Sequence, residues 1–512
     1  MFIKPDDIVS DVVKSCDVCI IGAGSGGSVM AFEMAKAGLS VVVLEDGGYH
    51  RGADYNQREA DMFGENYVGR NARATKDMAI AVMQGRGVGG GSTINVCDCV
   101  RIHDAVLSHW ATKYGVVGIT PEVMRPYFEK VEALLKVKPI TESQLNTNNS
   151  LIRKGADLLG YKGEKFNNNR EGCVGCGYCL LGCAYDAKQA GHTVYVPKAV
   201  EAGADVYTYA RAEKVIQTGG KASRVTGVIM DPKTRTEKVK IDLEAKVIML
   251  GASTVNTAQI LLNSKIANSS GEVGKNLSLQ PQSAVFAVFD EVVKGYRGIP
   301  QAYAVTQFEQ ANEEVGLSGF RIEGIFGSPG IAAAQLPGFG MVTKELMMAY
   351  PHFTGVLVLV PDQPSGEVTV NKFGRPVIAY EFTEEYKARL MRGIKEAARI
   401  FFAAGARKVM FAYTEPTIIE DASKIDIVDT MGIRPASIAL ISAHQYGTCR
   451  MGEDPKTSVV DSYGESHDVK NLFVVDASTN PTSSSTHNMV PIMAMAHRAA
   501  HHILAARDRY FA

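Results

Sequence analysis

The sequence predicts an α/β fold, α+β overall, in which a parallel βαβ unit is joined to a region of antiparallel strands. Two β-branched runs, 17–21 and 39–45, flank a glycine turn and a helical pattern, as expected for two parallel strands with a crossover helix. Alternating runs at 353–360 and 366–370, followed by an amphipathic pattern over 384–402, indicate antiparallel strands packed against a helix. We therefore expect residues 280–437 to form a region distinct from 1–279 and 438–512.

Composition and charge exclude several classes of partner. The 512 residues are 46% hydrophobic and 21% charged, and 54 Lys plus Arg against 55 Asp plus Glu give a net charge of -1. Such a chain has no basic field for nucleic acid or anionic lipid. No run approaches the roughly 18 apolar residues of a membrane span, and acidic residues stand where a signal peptide is basic. We expect a cytoplasmic protein without a transmembrane segment, which binds small molecules or other proteins.

The glycines of the βαβ unit have the spacing of a dinucleotide site. Gly22 allows the tight turn, Gly24 lets a pyrophosphate reach the helix N-terminus, and Gly27 lets helix and strand pack closely. Glu45 ends the second β-run, where an acid hydrogen-bonds an adenosine ribose. The pattern predicts an ADP-containing dinucleotide and does not distinguish FAD from NAD.

A second glycine-rich segment, 85–95, lacks the strand and helix of another dinucleotide site. Here the chain resembles the glucose-methanol-choline (GMC) oxidoreductases, whose G-R-x-x-G-G-S-S-x-x-N loop lies over the flavin pyrophosphate and ring. The resemblance implies FAD as cofactor. Ile94 stands where some members carry the histidine that attaches FAD covalently, so we expect non-covalent FAD. The implied contacts in this segment are Arg86, Gly91, Ser92, Asn95 and Val96.

The resemblance extends over nearly the whole chain. Segments 247–261 and 271–277 are similar to further family signatures, although Gln280 stands where the family often has histidine. C-terminal segments 443–452, 471–481 and 485–489 match in order and spacing, and the motifs are closest to the long-chain alcohol and cholesterol oxidase branch. This implies a Rossmann-like FAD-binding domain with a discontinuous antiparallel-sheet substrate domain. The further FAD contacts it implies are Ala212, Ala252, Asp476, Ala477 and Asn488.

Two histidines lie within the C-terminal motifs. When an alcohol is oxidised, its hydroxyl proton must be removed as hydride leaves the adjacent carbon, and histidine suits this because its pKa lies near 6.5. By resemblance, His444 is the base and His487 is its partner. We expect an FAD-dependent oxidoreductase that acts on the CH–OH group of an alcohol.

Four of the nine cysteines, Cys173, Cys176, Cys179 and Cys183, have the C-x2-C-x2-C-x3-C spacing of a bacterial ferredoxin. An iron–sulfur cluster, a structural zinc site and unmetallated packing thiols remain open, and the spacing favours the cluster. A cluster would favour a dehydrogenase that passes electrons singly to a protein or quinone.

The sequence leaves other functions open. An oxygen-using alcohol oxidase without a cluster and an electron-transfer flavoprotein without alcohol chemistry are the main alternatives, and photochemistry or lyase chemistry is a third. Segments 324–334 and 338–341 are apolar and poor in charge, which suits either the wall of an apolar substrate site or ordinary core. The alcohol, the electron acceptor and the oligomeric state are not specified.

Overall fold

The computed structural model describes residues 1–312 and 314–512, and its strands form two large sheets and three small hairpin-like pairs. The strands are β1 (Phe2–Ile3), β2 (Val12–Ile21), β3 (Val41–Glu45), β4 (Ala81–Val82), β5 (Lys138–Pro139), β6 (Gly163–Lys165), β7 (Asn167–Asn168), β8 (Asp205–Thr208), β9 (Ala210–Thr218), β10 (Lys221–Met230), β11 (Glu237–Leu250), β12 (Gln282–Val288), β13 (Tyr303–Val305), β14 (Glu309–Asn312), β15 (Gly316–Gly319), β16 (Arg321–Gly324), β17 (Phe353–Leu359), β18 (Glu367–Val370), β19 (Pro376–Ala379), β20 (Lys408–Phe411), β21 (Ile418–Ile419), β22 (Ile441–Ser442) and β23 (Leu472–Val474). The α-helices are α1 (Ser25–Lys36), α2 (Glu59–Asn66), α3 (Gly91–Ile94), α4 (Asp104–Tyr114), α5 (Pro121–Leu134), α6 (Thr147–Leu158), α7 (Val196–Glu201), α8 (Thr254–Ser264), α9 (Pro329–Gln335), α10 (Met341–Met348), α11 (Glu384–Ala404), α12 (Met489–Ala505) and α13 (Arg507–Phe511).

The first sheet contains the predicted βαβ unit. Its order is β1-β8-β3-β2-β11-β10-β9, and β23 pairs with the end of β11 that β10 leaves free. Strands β1, β8, β3, β2, β11 and β23 are parallel, whereas β11, β10 and β9 form an antiparallel extension. Strand β3 and the last four residues of β2 are fully buried, which explains their continuous apolar runs. The expected parallel pairing of the two first β-runs is confirmed.

The second sheet is mainly antiparallel, as expected. Its order is β21-β20-β12-β17-β16-β13-β6, with β22 added to β12 and β4 added to β22. The short strands β4, β6 and β22 come from outside 280–437. The second sheet is therefore assembled from more of the chain than the predicted region 280–437.

Helix α11 covers this sheet and confirms the predicted amphipathic helix, which extends two residues beyond 402. The Thr383 side chain accepts a hydrogen bond from the Tyr386 N–H at its N-terminus, and Gly405 ends the helix in the left-handed conformation with φ of 104°. Its apolar face packs on β12 and β17. The two sheets and their helices share one large apolar core.

Within the two described ranges, every helix is too short or too polar to cross a lipid bilayer.

Candidate active site

A cleft of about 1570 Å³ lies at the carboxyl ends of the parallel strands and continues to the second sheet. Small-molecule sites usually occupy roughly 300–1000 Å³, so this cleft has room for a dinucleotide and a second molecule. Of the residues predicted to bind the cofactor or to act in catalysis, Gly27 and the four clustered cysteines are absent from the lining. The predicted residues that line it are Gly22, Gly24, Glu45, Arg86, Gly91, Ser92, Asn95, Val96, Ala212, Ala252, His444, Asp476, Ala477, His487 and Asn488.

The glycine turn after β2 brings three chain segments together. Gly22 has φ of 96°, and a Cβ there would lie 2.4 Å from the Gly251 carbonyl oxygen. A Cβ on Gly27 would lie 1.9 Å from the Gly22 carbonyl oxygen, so this glycine packs α1 against its own turn. Gly26, which the sequence analysis did not single out, would place a Cβ 1.7 Å from the Val475 carbonyl oxygen. The N-terminus of α1 can therefore approach the end of β23 only without a side chain at this position.

The second glycine-rich segment lies directly against the first. A Cβ on Gly90 would lie 2.8 Å from the Gly24 Cα, whereas a Cβ on Gly91 would have no heavy atom within 4 Å. Ser92 Oγ donates to the Gly89 carbonyl at 2.6 Å and accepts from the Gly191 N–H at 3.1 Å. Gly91 thus borders the open cleft, while Ser92 fixes the loop.

Glu45 connects three backbone turns. Its carboxylate accepts hydrogen bonds from the N–H groups of Ala23 at 2.9 Å, Gly47 at 3.0 Å and Gly87 at 2.9 Å. Burial raises the pKa of this carboxyl above its ordinary value, against the effect of these donors. A carboxylate has about four lone-pair sites, so one remains for a ribose hydroxyl.

Arg86 is held at the edge of the cleft by Asp46. Its Nη2 donates to the Asp46 carbonyl at 2.8 Å, and its Nε lies 3.2 Å from the Asp46 carboxylate. Arg211 Nε contacts the other oxygen of that carboxylate at 2.9 Å. The guanidinium expected to contact FAD is therefore already paired with an acid on the segment after β3.

Asp476 joins the two turns that follow β23 and β11. One carboxylate oxygen accepts from the Ser478 N–H at 2.9 Å, and the other accepts from the Ser253 N–H at 2.9 Å and the Thr257 hydroxyl at 2.6 Å. Burial raises the pKa of Asp476, against these hydrogen bonds. This carboxylate keeps Ala477 and the N-terminus of α8 at the same edge of the cleft.

His444 is buried, and its tautomer follows from its partner Gln280. Its Nδ1 lies 2.9 Å from Gln280 Oε1, which can only accept, and 3.4 Å from Gln282 Nε2, which can only donate; the shorter contact assigns the proton to Nδ1. Nε2 therefore keeps its lone pair, and no described residue hydrogen-bonds to it. Burial, together with the charge of His487, holds the pKa of His444 well below its ordinary value. The neutral imidazole is thus available as a base.

His487 lies beside His444 but in a contrasting environment. The two ring centroids are 5.1 Å apart and the rings are nearly perpendicular, at 86°. His487 Nε2 lies 3.0 and 3.2 Å from the two carboxylate oxygens of Glu323. Burial opposes a charge on His487, but the Glu323 carboxylate outweighs it and raises the pKa of the ring. The surroundings therefore favour the neutral form of His444 and the cationic form of His487 at the same end of the cleft.

The acids around His487 were not predicted from the sequence. Glu323 is fully buried, accepts a hydrogen bond from Gln301 Nε2 and lies 3.1 Å from Arg321 Nε. Asp98 Oδ2 is 4.0 Å from His487 Nε2, and neither Asp98 oxygen has a hydrogen-bond partner among residues 1–312 and 314–512. Burial raises the pKa of Asp98 to about 8. The alternation of Arg321 and Glu323 in an otherwise apolar strand was the available signal.

The far wall of the cleft is apolar. Part of the predicted apolar segment 324–334 lines it, while Phe339 is 85% exposed. Segment 324–334 therefore contributes to the wall of the cleft, whereas Phe339 of segment 338–341 belongs neither to this wall nor to the core. The aliphatic and aromatic side chains of this wall include Phe286, Ile325, Phe326, Ile331, Leu336 and Leu357.

The structure does not support a metal site at Cys173, Cys176, Cys179 and Cys183. In the described part of the chain, no three His, Cys, Asp or Glu side chains are arranged to hold a metal ion. Cys173 is exposed, whereas Cys179 Sγ points inward and accepts from Arg170 Nη2 at 3.7 Å. The Cys97 thiol and nearby cations hold the pKa of Cys179 well below its ordinary value. The iron–sulfur cluster and the zinc alternative therefore stay expectations from the sequence, which the arrangement of these side chains does not support.

A buried lysine explains the local structure of the cysteine segment. Lys188 is 1% exposed, and its Nζ donates to the carbonyls of Thr93 at 2.7 Å, Asn95 at 2.6 Å and Cys179 at 3.0 Å. Three carbonyls replace the water that an ammonium group otherwise requires. The segment therefore supports the loop that borders the cleft.

Comparisons with known proteins show relatives over nearly the whole chain and a shared fold. An uncharacterised GMC-type oxidoreductase of Mycobacterium tuberculosis H37Rv is 28% identical over 95% of this chain and 75% of its own. The long-chain-alcohol oxidase FAO3 of Arabidopsis thaliana is 28% identical over 96% of this chain and 68% of its own. A solved formate oxidase from Aspergillus oryzae RIB40 has a TM-score of 0.72 at 16% identity, covering 98% of this chain and all of its own, which shows a shared fold.

The GMC oxidoreductase family itself matches in two parts, at residues 17–282 and 362–496. The first match alone covers more than half of the 512 residues and includes both glycine-rich segments. The second includes His444 and His487, the two histidines that the fold brings together. This chain belongs to the GMC oxidoreductase family.

Proposed function

We propose that the protein binds FAD non-covalently in the cleft and oxidises an alcohol CH–OH group, with His444 as the base. The observation that carries this proposal is the environment of His444. Gln280 holds its Nδ1 proton, and Nε2 is left as a hydrogen-bond acceptor in a residue that lines the cleft. A buried, neutral imidazole of fixed tautomer is the arrangement that proton removal from an alcohol requires.

The cleft fits the FAD that family membership implies. Gly22 and Gly24 border it at the N-terminus of α1, where backbone N–H groups favour a pyrophosphate. The open space next to Gly91 leaves room for the cofactor along the second glycine-rich segment. Ile94 cannot form the covalent link that histidine makes in some relatives, which supports non-covalent binding.

When bound, FAD supplies the hydride acceptor for the alcohol carbon. His444 Nε2 takes the hydroxyl proton, and the Gln280 carbonyl stabilises the resulting imidazolium through the Nδ1–H bond. His487 lines the cleft beside His444 and places a positive charge near the oxygen as negative charge develops on it. His444 therefore acts as the base, and His487 acts as its electrostatic partner.

The apolar wall favours an alcohol with an apolar tail. Phe286, Phe326 and Leu357 offer surface that excludes water from the reacting carbon. The similarity to a long-chain-alcohol oxidase supports the same substrate class. We therefore propose a primary alcohol with an aliphatic chain.

We propose molecular oxygen as the electron acceptor. The reason to expect a one-electron acceptor was the cysteine spacing, and the cysteine side chains are not arranged for a cluster. The names of the long-chain-alcohol oxidase and formate oxidase relatives support an oxidase. Stoichiometric peroxide and no protein-bound iron would agree with this; iron and acid-labile sulfide in ratio to FAD would restore the dehydrogenase alternative.

The central experiment is anaerobic reduction of bound flavin by a series of straight-chain alcohols. We expect bleaching whose rate rises with chain length, because longer chains bury more apolar surface. The variant His444→Ala is the matched control for the chemistry. Bleaching by no alcohol, with full reduction by dithionite, would remove alcohol oxidation as the function.

A further inference from the structure

We propose that Glu323 is a positioning residue that holds His487 as a cation, with its Nδ1–H available to the substrate oxygen; this inference rests on the proposed alcohol oxidation. His487 lines the cleft, and Glu323 engages only its Nε2, at 3.0 and 3.2 Å. No described residue hydrogen-bonds to Nδ1. The ring therefore has one nitrogen committed to the protein and one left for a ligand.

The charge on His487 follows from the balance of the buried acids. Arg321 is 3% exposed and contacts three carboxylates, those of Glu164, Glu309 and Glu323. Water screens the Glu164 carboxylate, which is 60% exposed, and burial raises the pKa of Glu309 to about 7, so the buried Glu323 carboxylate is the one that most requires a cationic partner. Glu323, the most deeply buried of the three, has His487 as its second cationic partner. The proton on His487 therefore completes the neutralisation of this cluster.

Groups from every neighbouring element act on His487. Glu323 and Arg321 face it from β16, Asp98 from the segment after α3, and His444 from the segment after β22. The ring edge of Phe166 packs against it at a centroid distance of 5.7 Å. Asp98 is protonated below a pKa of about 8 and adds a second negative charge above it. Of these groups, only Glu323 combines ionisation with direct hydrogen-bonding distance.

Glu323 therefore sets the alkaline limit of activity. The reaction requires neutral His444 and cationic His487, so the rate is lost as pH rises through the pKa of His487. Replacing Glu323 by Gln keeps the shape but removes the charge that holds the proton. An opposite charge at such distance shifts a pKa by about 1–3 units. The alkaline limb of the pH profile, where the rate falls as His487 loses its proton, should therefore move to lower pH by about that amount. At a pH between the alkaline limbs of the wild type and the variant, flavin reduction in the variant should be slower by about tenfold for each pH unit by which the limb has moved.

The first test compares Glu323→Gln with Glu164→Gln. Both variants replace a carboxylate on Arg321 with an isosteric amide, but Glu164 is 60% exposed and is not hydrogen-bonded to His487. Anaerobic flavin reduction by a straight-chain alcohol is measured from acid to alkaline pH in each FAD-loaded variant. We expect the alkaline limb to move only in Glu323→Gln, with kcat changing more than KM. An unmoved limb in that variant would overturn the proposal.

The second test needs no turnover. Histidine labelled with ¹³C at Cε1 is followed by NMR in the oxidised holoenzyme, and the His487 resonance is assigned by its loss in His487→Asn. In the wild type, we expect this ring to remain cationic above the ordinary histidine pKa of 6.5; a neutral ring at that pH would overturn the proposal even if Glu323→Gln fails to fold. If no alcohol bleaches the flavin, the proposed function fails, while this titration still decides the role of Glu323.

A double variant separates positioning from folding. In the His487→Asn background, Glu323→Gln should cause no further change in the pH profile, because the titrating ring is absent. Equal displacement of the limb in both backgrounds would show that Glu323 acts through another group. Glu323→Asp should restore part of the wild-type limb, since it keeps the charge at a longer distance.

Discussion

Replacing Gln280 by Glu should move the acid limb of the pH profile, where the rate falls as His444 gains a proton, to higher pH. Gln280 is fully buried, its Oε1 accepts the Nδ1–H of His444 at 2.9 Å, and its Nε2 has no partner among the described side chains and backbone. The substitution therefore keeps the hydrogen bond, loses no other, and places a carboxylate against the imidazole. A hydrogen bond to a charged group contributes about 1.5–3 kcal/mol, against about 0.5–1.5 kcal/mol for a neutral pair.

The difference stabilises the protonated His444 by about 1–1.5 kcal/mol, which corresponds to a rise of about one pKa unit. Because His444 must be neutral to act, the rate is lost as pH falls through its pKa, and a higher pKa moves this loss to higher pH. The assay is the rate of anaerobic flavin reduction by saturating alcohol at each pH. Gln335→Glu is the control, since it adds a carboxylate to the cleft lining at another position. An acid limb that stays in place or moves downward in Gln280→Glu would refute the assignment of His444 as base.

Three further predictions concern the base, the cofactor and the loop that supports it. His444→Ala should retain FAD but slow flavin reduction by roughly 100-fold or more, and stopped-flow traces equal to those of the parent would exclude His444 from the chemistry. Acid precipitation should release all the yellow chromophore, because Ile94 offers no covalent link; colour kept in the pellet would contradict this. Lys188→Met should lower the free energy of unfolding by about 3 kcal/mol or more, since three buried carbonyls lose their donor at about 1–3 kcal/mol each. Urea denaturation measures this change, and a loss below about 1 kcal/mol would show that water replaces the lysine.

The elements that the sequence predicted well have local signals. The glycine turn around Gly22, the apolar run of β3 and the capped amphipathic helix α11 are each specified within about 20 residues. Their periodicity and capping are visible without knowledge of the rest of the chain. The pairing of strands at opposite ends of the chain, such as β22 with β4, has no such signal.

The cleft residues also include some with a local signal in the sequence and some without one. His444 and His487 lie in distinctive motifs, so their convergence was predicted, whereas the partners Gln280 and Glu323 come from other segments that only the folded chain brings near. The cysteine spacing favoured a cluster, but side-chain direction as well as spacing decides whether thiols can share a metal ion. Cys179 Sγ contacts Arg170 Nη2, and among the described residues no group of three or more possible ligands is placed to hold a metal ion.

The short strands β22 and β23 have a consequence for synthesis on the ribosome. β22 pairs Ile441 with Gln282 of β12, and β23 pairs with β11. Neither sheet is therefore complete until residues beyond 440 have been synthesised. Roughly 220 residues separate the end of β11 from β23, and translation at about 5–20 residues per second needs roughly 11–44 s to supply them. During that interval the nascent chain presents unpaired strand edges, which are prone to aggregation. Co-translational folding of this protein therefore depends on protection of those edges, whereas refolding of the released full-length chain does not face the same delay.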